Sequence, residues 1–313
     1  MPAAAIVGAG LIGRAWAIVF ARAGWQVNLW DPQAPVRAAA AGLITTALEE
    51  LERHGLIADA AGAAKKVTTV ADIEDAVRAA DYVQESGPET LDAKLATFAT
   101  LDALAPPLTI LASSTSAIVP SKFTEALAGR ARCVVAHPVN PPHLVPVVEV
   151  CGAPWTSATT RSRTMEILRS VGQVPIDVKR EIDGFILNRL QVALLTEAFR
   201  LVEEGYVSPQ DLDHTVKHGL GLRWSFMGPF ETIELNAPGG IPDYCERYTP
   251  WFRRYMADLP GPAVWDTAQW QRAAQAWDSA MDASAIAKKS QWRDERLAAL
   301  AAHKRAQKLY GSD

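Results

Sequence analysis

A histidine and a glutamate twelve positions apart carry the first chemistry in this sequence. His137 follows the apolar run Cys133–Ala136, and Glu149 stands inside Val147-Val148-Glu149-Val150. A carboxylate in such a run is expensive to bury unless it is paired. A nearby imidazole offsets that cost and is oriented by it, and the pair then suits a general base that takes the proton of an alcohol. A lone histidine at a strand end is ordinarily a satisfied structural residue; the acid at the matching place on the next strand favours chemistry. Ser113-Ser114-Thr115-Ser116 follows the apolar run Thr109–Ala112. That is where a parallel strand would end, and ligands gather at the carboxyl ends of such strands. Asn188 shares a helical face with Phe185, Val192, Leu195 and Phe199. A neutral polar group on an apolar stripe wants a partner; capping another helix and binding a substrate oxygen both answer to that.

The second signal is an anion cradle. Gly8-Ala9-Gly10-Leu11-Ile12-Gly13 follows the apolar strand Ala4–Val7 and opens a helix from Ile12. The glycine spacing is weak by itself; the strand before it, the helix after it and an acid ending the next strand give it force. Gly8 permits a tight turn, Gly10 lets the backbone approach a pyrophosphate, and Gly13 lets the helix pack close to the sheet. Backbone N–H groups around Leu11 and Ile12, at the helix N-terminus, supply the anion site. Asp31 follows the strand Gln26–Trp30, 18 residues beyond Gly13. Its carboxylate suits an adenosine ribose and repels a 2′-phosphate, so NAD is favoured over NADP; Arg37 is the nearest arginine after it. A glycine turn that only packs a helix is the competing reading.

Regular elements must hold these groups in place. Strands are expected at Ala4–Val7, Gln26–Trp30, Lys66–Thr69, Tyr82–Glu85, Thr109–Ala112, Cys133–Ala136 and Val147–Val150. Helical patterns alternate with them at Ile12–Ala23, Ala34–His54, Asp72–Ala79, Leu91–Ala105 and Thr156–Val171. Such alternation favours a parallel sheet with helices on both faces. After Asp183 the strands stop, and helices broken by Gly and Pro are expected at Gly184–Glu204, Pro209–Gly219, Pro229–Asn236, Ile241–Asp258, Trp265–Met281 and Ala285–Leu309. The fold class is therefore α/β: a Rossmann-type doubly wound sheet over residues 1–182, then an all-α domain over residues 183–313.

Composition narrows the function classes. The 313 residues are enough for two domains, and 49% apolar with 21% charged residues excludes disorder or a fibre. A net charge of −4 provides no global field for nucleic acid or an anionic membrane. Three cysteines without close spacing argue against a disulfide scaffold or a zinc site, and no metal is expected. The apolar start, Ala3–Phe20, is broken by Gly8, Gly10, Gly13 and Arg14, unlike a signal peptide or a span, and the expected location is the reducing cytoplasm. Six of the ten tryptophans lie beyond residue 220 and read mainly as packing. Lys288, Lys289, Arg293, Arg296, Lys304, Arg305 and Lys308 form a basic C-terminal stretch; an anionic partner is conceivable there, but a solvated amphipathic helix is the favoured reading.

These residues together resemble the 3-hydroxyacyl-CoA dehydrogenase superfamily. The resemblance rests on Gly8–Gly13, the segment ending at Ser116, His137-Pro-Val-Asn140-Pro, Glu149 and Gly184-Phe-Ile-Leu-Asn188-Arg189, in that order across most of the chain. The finer match is to the λ-crystallin / L-gulonate 3-dehydrogenase branch, on His137–Pro142, Gly219–Pro229 and Gln291–Glu295. The resemblance implies NAD-dependent oxidation of a 3-hydroxyl. His137 would be the base, Glu149 its orienting partner, and Ser116 and Asn188 would bind the reacting oxygen. Glu89 and Lys94 would lie near the nicotinamide-side ribose, although a solvated pair opening a helix is the alternative for them. It also implies a homodimer through the C-terminal helices, with the active site in the cleft between the domains.

Arg223, in Leu222-Arg-Trp-Ser-Phe226, suits a bidentate grip on a carboxylate. A free 3-hydroxy acid offers that carboxylate and a thioester does not, so a small L-gulonate-like acid is the expected substrate. A surface or structural arginine is the bland reading. A 3-hydroxyacyl-CoA remains an alternative, as does carnitine, whose quaternary ammonium needs an aromatic cage. A non-catalytic NAD-binding protein is the distant alternative, since λ-crystallin is a lens protein; Ser116, His137, Glu149 and Asn188 together favour catalysis.

Overall fold

The computed structural model describes residues 1–277 and 282–307. The expected helix ends at Met281 and Leu309, and Lys308 of the basic stretch, lie outside them. The chain forms two compact units. One takes Met1–Asn188 together with the chain from Ala287 on, and the other takes Arg189–Ile286. No helix among the described residues is long and apolar enough to cross a membrane.

The first unit is built on eight strands: β1 Ala3–Val7, β2 Gln26–Trp30, β3 Val67–Thr69, β4 Tyr82–Glu85, β5 Ile110–Ser113, β6 Cys133–Pro138, β7 Val147–Cys151 and β8 Val174–Val178. Its helices are α1 Leu11–Arg22, α2 Ala34–Arg53, α3 Ala60–Ala64, α4 Ile73–Val77, α5 Leu91–Leu104, α6 Ser121–Thr124 and α7 Ala158–Ser170. The strand order is β3-β2-β1-β4-β5-β6-β7-β8. The order reverses between β1 and β4, the switch point at which doubly wound sheets open a ligand crevice. Alternate residues of β1 feed two apolar layers. Ala4 and Ile6 join Trp16, Phe20 and Leu48 on one face. Ala5 and Val7 join Val83, Phe98 and Val135 on the other.

Two features depart from the sequence expectation of a wholly parallel sheet. β7 runs antiparallel to β6. The residues between them, 139–146, form turns and no helix, and a link that short can join only antiparallel neighbours. β8 pairs in parallel with β7 at the sheet edge. Its Pro175 and its only partly buried residues hide the strand in the sequence, and an edge is where proline costs least. His137 also lies within β6 rather than after it.

The remaining helices are α8 Leu187–Glu203, α9 Pro209–Thr215, α10 Gly221–Trp224, α11 Pro229–Glu234, α12 Gly240–Met256, α13 Thr267–Trp277 and α14 Ala283–Ala306, with a π-helical turn at Val216–Leu220. In the second unit Trp265 packs edge-on against Phe199 at 5.2 Å and donates its indole N–H to Thr196. Whereas sequence alone groups residues 183–313 together, Ala298 of α14 is buried in the apolar layer around Trp16 and Phe20. The last helix thus packs with the sheet.

Candidate active site

His137 and Glu149 are direct partners in the β6–β7 ladder. That register points both side chains to one face, and His137 Nδ1 lies 2.8 Å from Glu149 Oε2. A carboxylate only accepts, so Nδ1–H donates and the neutral ring leaves Nε2 with its lone pair. Both residues are buried. The other Glu149 oxygen, Oε1, accepts the backbone N–H groups of Ile186 at 2.7 Å and Leu187 at 2.9 Å, where α8 begins. Burial pushes the Glu149 carboxyl up, but the hydrogen bonds from His137, Leu187 and Ile186 outweigh it and hold it below its ordinary value.

The turn that aims those amides is unusual. Gly184 and Phe185 both adopt positive φ, 77° and 47°. A bulky side chain seldom accepts that conformation. Phe185 is fully buried, and its ring centroid lies 5.5 Å from that of His137. Phe185 therefore belongs to the turn before α8, not to a helical stripe with Asn188 as the spacing implies. The left-handed pair delays α8 to Leu187.

Asn188 reaches Ser116: its Nδ2 donates to the Ser116 carbonyl at 3.0 Å. The Ser116 N–H and the Ala117 N–H donate to Glu89 Oε1 at 2.9 and 3.1 Å, and Thr115 Oγ1 donates to the same oxygen at 2.5 Å. Ser116 Oγ lies 3.5 Å from it. Glu89 thus shapes the loop that presents Ser116. Lys94 is not a solvated helix residue. It is 1% exposed, with Nζ at 2.8 and 2.9 Å from the two oxygens of Glu85. Glu89 Oε2 stands 3.8 Å away. Lys94 is thus held behind the loop by two carboxylates.

Sequence reasoning missed Glu85 and the polar cluster beside it. Glu85, also 1% exposed, accepts the Ser113 hydroxyl at 2.6 Å and the Gly87 N–H at 2.6 Å, and so ties the loops after β4 and β5 together. Ser114 Oγ is shared by Trp16 Nε1, Gln84 Nε2 and Ser86 Oγ. The signal that exposed Glu149 was present here too: an acid closing a buried run, Tyr82-Val-Gln-Glu85.

The residues of the cradle fit NAD. Gly8 has φ 105°, and a Cβ there would meet the Ser86 carbonyl at 2.6 Å. A Cβ on Gly13 would meet the Gly8 carbonyl at 1.8 Å. A Cβ on Gly10 would meet nothing within 4 Å, so the space over it is open for an approaching phosphate. Gly10 caps α1 without a side-chain hydrogen bond, so the first amides at Leu11 and Ile12 stay available to an anion. Asp31, ending the next strand, accepts the Ala9 N–H at 2.8 Å and the Gln33 N–H at 2.9 Å. Arg14 braces the loop from behind through the Ala9 carbonyl, 2.8 Å away. Arg223 lies in the second unit, exposed on α10.

Comparison with known proteins agrees with this geometry. The family model of the 3-hydroxyacyl-CoA dehydrogenase NAD-binding domain matches residues 3–182, and that of the 3-hydroxyacyl-CoA dehydrogenase C-terminal domain matches residues 184–276. Lambda-crystallin of Oryctolagus cuniculus is 40% identical over 305 residues, 96% of this chain and 95% of that protein. L-carnitine dehydrogenase of Pseudomonas aeruginosa is 36% identical over 298 residues, 95% of this chain and 92% of its own. Among solved structures, 5-formyl-3-hydroxy-2-methylpyridine 4-carboxylic acid 5-dehydrogenase, an NAD+-dependent dismutase, superposes with a TM-score of 0.84 at 28% identity, covering 98% of this chain and 100% of that one. With a cradle that fits NAD and family models spanning both halves, this chain belongs to the 3-hydroxyacyl-CoA dehydrogenase family of NAD-dependent oxidoreductases.

Proposed function

We propose that this protein oxidises the 3-hydroxyl of a small, L-gulonate-like 3-hydroxy acid to the 3-keto acid. The observation that carries this reading is the 2.8 Å pair of His137 and Glu149, which leaves Nε2 of a buried, oriented imidazole to take the hydroxyl proton. NAD, when bound, accepts the hydride. Glu149 holds the tautomer and stabilises the imidazolium as it forms. Ser116 and Asn188, joined through the Ser116 carbonyl, hydrogen-bond the reacting oxygen. Glu89 shapes the loop at the nicotinamide side. Arg223 grips the substrate carboxylate; it is exposed and has no ion pair among the described residues, which suits a group that waits for an anion.

Carnitine is a weaker reading despite the carnitine dehydrogenase relatives. The aromatic cluster that would be its cage is Tyr244, Tyr248 and Phe252, whose centroids lie 4.7–5.9 Å apart, ring against ring. Beside them the Arg254 guanidinium already stands over Trp251 at 5.0 Å and Tyr255 at 5.6 Å. A quaternary ammonium there meets a like charge. The exposed apolar side chains of the second unit, among them Phe226, Phe230, Leu235 and Trp251, suit a homodimer, and the three unpaired cysteines suit the cytoplasm.

The test is NADH absorbance with L-gulonate, L-carnitine and 3-hydroxybutyryl-CoA side by side. Turnover is expected with the free acid, KM is expected to rise in Arg223→Met, and activity is expected to vanish in His137→Ala. Preference for the thioester or for carnitine overturns the substrate; flat traces throughout revive a non-catalytic role.

A further inference from the structure

The basic stretch at the C-terminus is more than a solvated helix face. It brings Arg305 of α14 to Arg22, the last residue of α1. A helix length of roughly 17 Å separates Arg22 from the cradle at the other end of α1. Arg22 Nη1 donates to the His143 carbonyl at 2.7 Å, and Arg305 Nη1 donates to the Leu56 carbonyl at 2.8 Å. Neither guanidinium has a carboxylate partner among the described residues. Burial and the nearby charge of Arg305 bring the Arg22 guanidinium down to about 10. Such a pair of cations is costly to hold together without a counter-ion.

The space around the pair is arranged for one. Arg22 and Arg305 line two adjoining cavities, of about 710 Å³ and 320 Å³. Lys66 adds positive charge to the first and Lys304 to the second. Asp59 is the one acid lining either, and its Oδ1 is held by the Gly62 N–H at 2.7 Å. His143, lining the smaller cavity, is neutral: burial, Arg22 and Arg293 lower its ring to about 4. Leu144, Pro146, Leu297 and Leu300 give the smaller cavity an apolar wall.

We propose that Arg22 and Arg305 form a second ligand site, remote from the cradle, for a small anion whose phosphate or carboxylate group bridges the two guanidiniums. The planar fork of arginine matches either oxyanion. The apolar wall takes the body of an organic acid; inorganic phosphate needs only the cationic end.

The experiment uses the NADH-saturated protein, so that the amides of the cradle are covered. Inorganic phosphate and butyrate are titrated separately by calorimetry at ionic strength held constant with chloride. Saturable binding of at least one is expected, weakened at least about tenfold in Arg305→Gln. Binding that Arg305→Gln leaves unchanged, or no saturable binding of either anion, overturns the proposal. Should Arg305→Gln fail to fold, crystals of the wild-type NADH complex soaked in tungstate decide. Density between the two guanidiniums supports the site, and its absence overturns it.

Discussion

His137 and Glu149 face each other across the antiparallel seam between β6 and β7, and Glu149 divides its two oxygens between the imidazole and the first amides of α8. One carboxylate thus fixes a tautomer and a helix start. Glu149→Gln keeps the shape but removes the charge that steadies an imidazolium. We expect kcat to fall ~10²–10⁴-fold with little change in KM. Steady-state NADH production measures it, and a variant within twofold of wild type (~2) contradicts the pairing's role.

The same carboxyl sets a pH dependence of stability. Its folded pKa is lower than in the unfolded chain, because the hydrogen bonds from His137, Leu187 and Ile186 outweigh burial. The folded state therefore binds that proton less readily. Its stabilising contribution is complete above the ordinary carboxylate range and is lost as pH falls through the folded value. Tm of the wild type should drop more steeply toward acid than Tm of Glu149→Gln. Parallel curves would show that Glu149 contributes nothing to the slope.

Lys94 and Glu85 neutralise each other in the interior. Lys94→Met leaves Glu85 as a buried charge without its cation and should cost about 3–5 kcal/mol in urea unfolding. Adding Glu85→Gln should recover part of that loss, since the stranded charge is gone. No recovery in the double variant would place the cost in packing instead.

The cradle glycines separate folding from binding. Gly13→Ala puts a Cβ 1.8 Å from the Gly8 carbonyl, so it should lower Tm sharply or prevent folding. Gly10→Ala meets nothing in the protein and should fold normally, yet bind NADH at least about tenfold more weakly by fluorescence titration. Normal NADH affinity in Gly10→Ala would move the phosphate elsewhere.

Cysteine reactivity should be uneven. Burial pushes the Cys133 and Cys151 thiols up to about 12, so at neutral pH neither is a thiolate. Cys245 is exposed. Mass spectrometry after brief alkylation of the native protein should find label on Cys245 alone; modified Cys133 or Cys151 would reveal opening of the sheet.

Much of the first unit was legible because charges interrupt its apolar runs. Glu149 shows itself by being costly where it stands, and the glycines of the cradle by the strand and helix around them. Glu85 obeys the same logic as Glu149, yet as the last residue of its run it reads as a boundary. Lys94 looks solvated because its partner is nine residues upstream and on another element. β8 is masked by Pro175 and by the half-exposed edge it occupies. The left-handed Phe185 has no sequence mark at all, since a buried aromatic is an improbable choice for positive φ. Nothing in the sequence of α14 marks Ala298 as the residue that joins the apolar layer around Trp16, Phe20 and Leu48.

Asp31 carries a consequence for cofactor engineering. Beside the ribose role proposed for it, its carboxylate pins the Ala9 amide at 2.8 Å inside the glycine loop. Exchanging Asp31 for a small neutral residue to admit a 2′-phosphate would release that amide and loosen the loop for either nucleotide. A redesign toward NADP has to keep an acceptor for Ala9, as Asp31→Asn does, and introduce its positive charge from a neighbouring position.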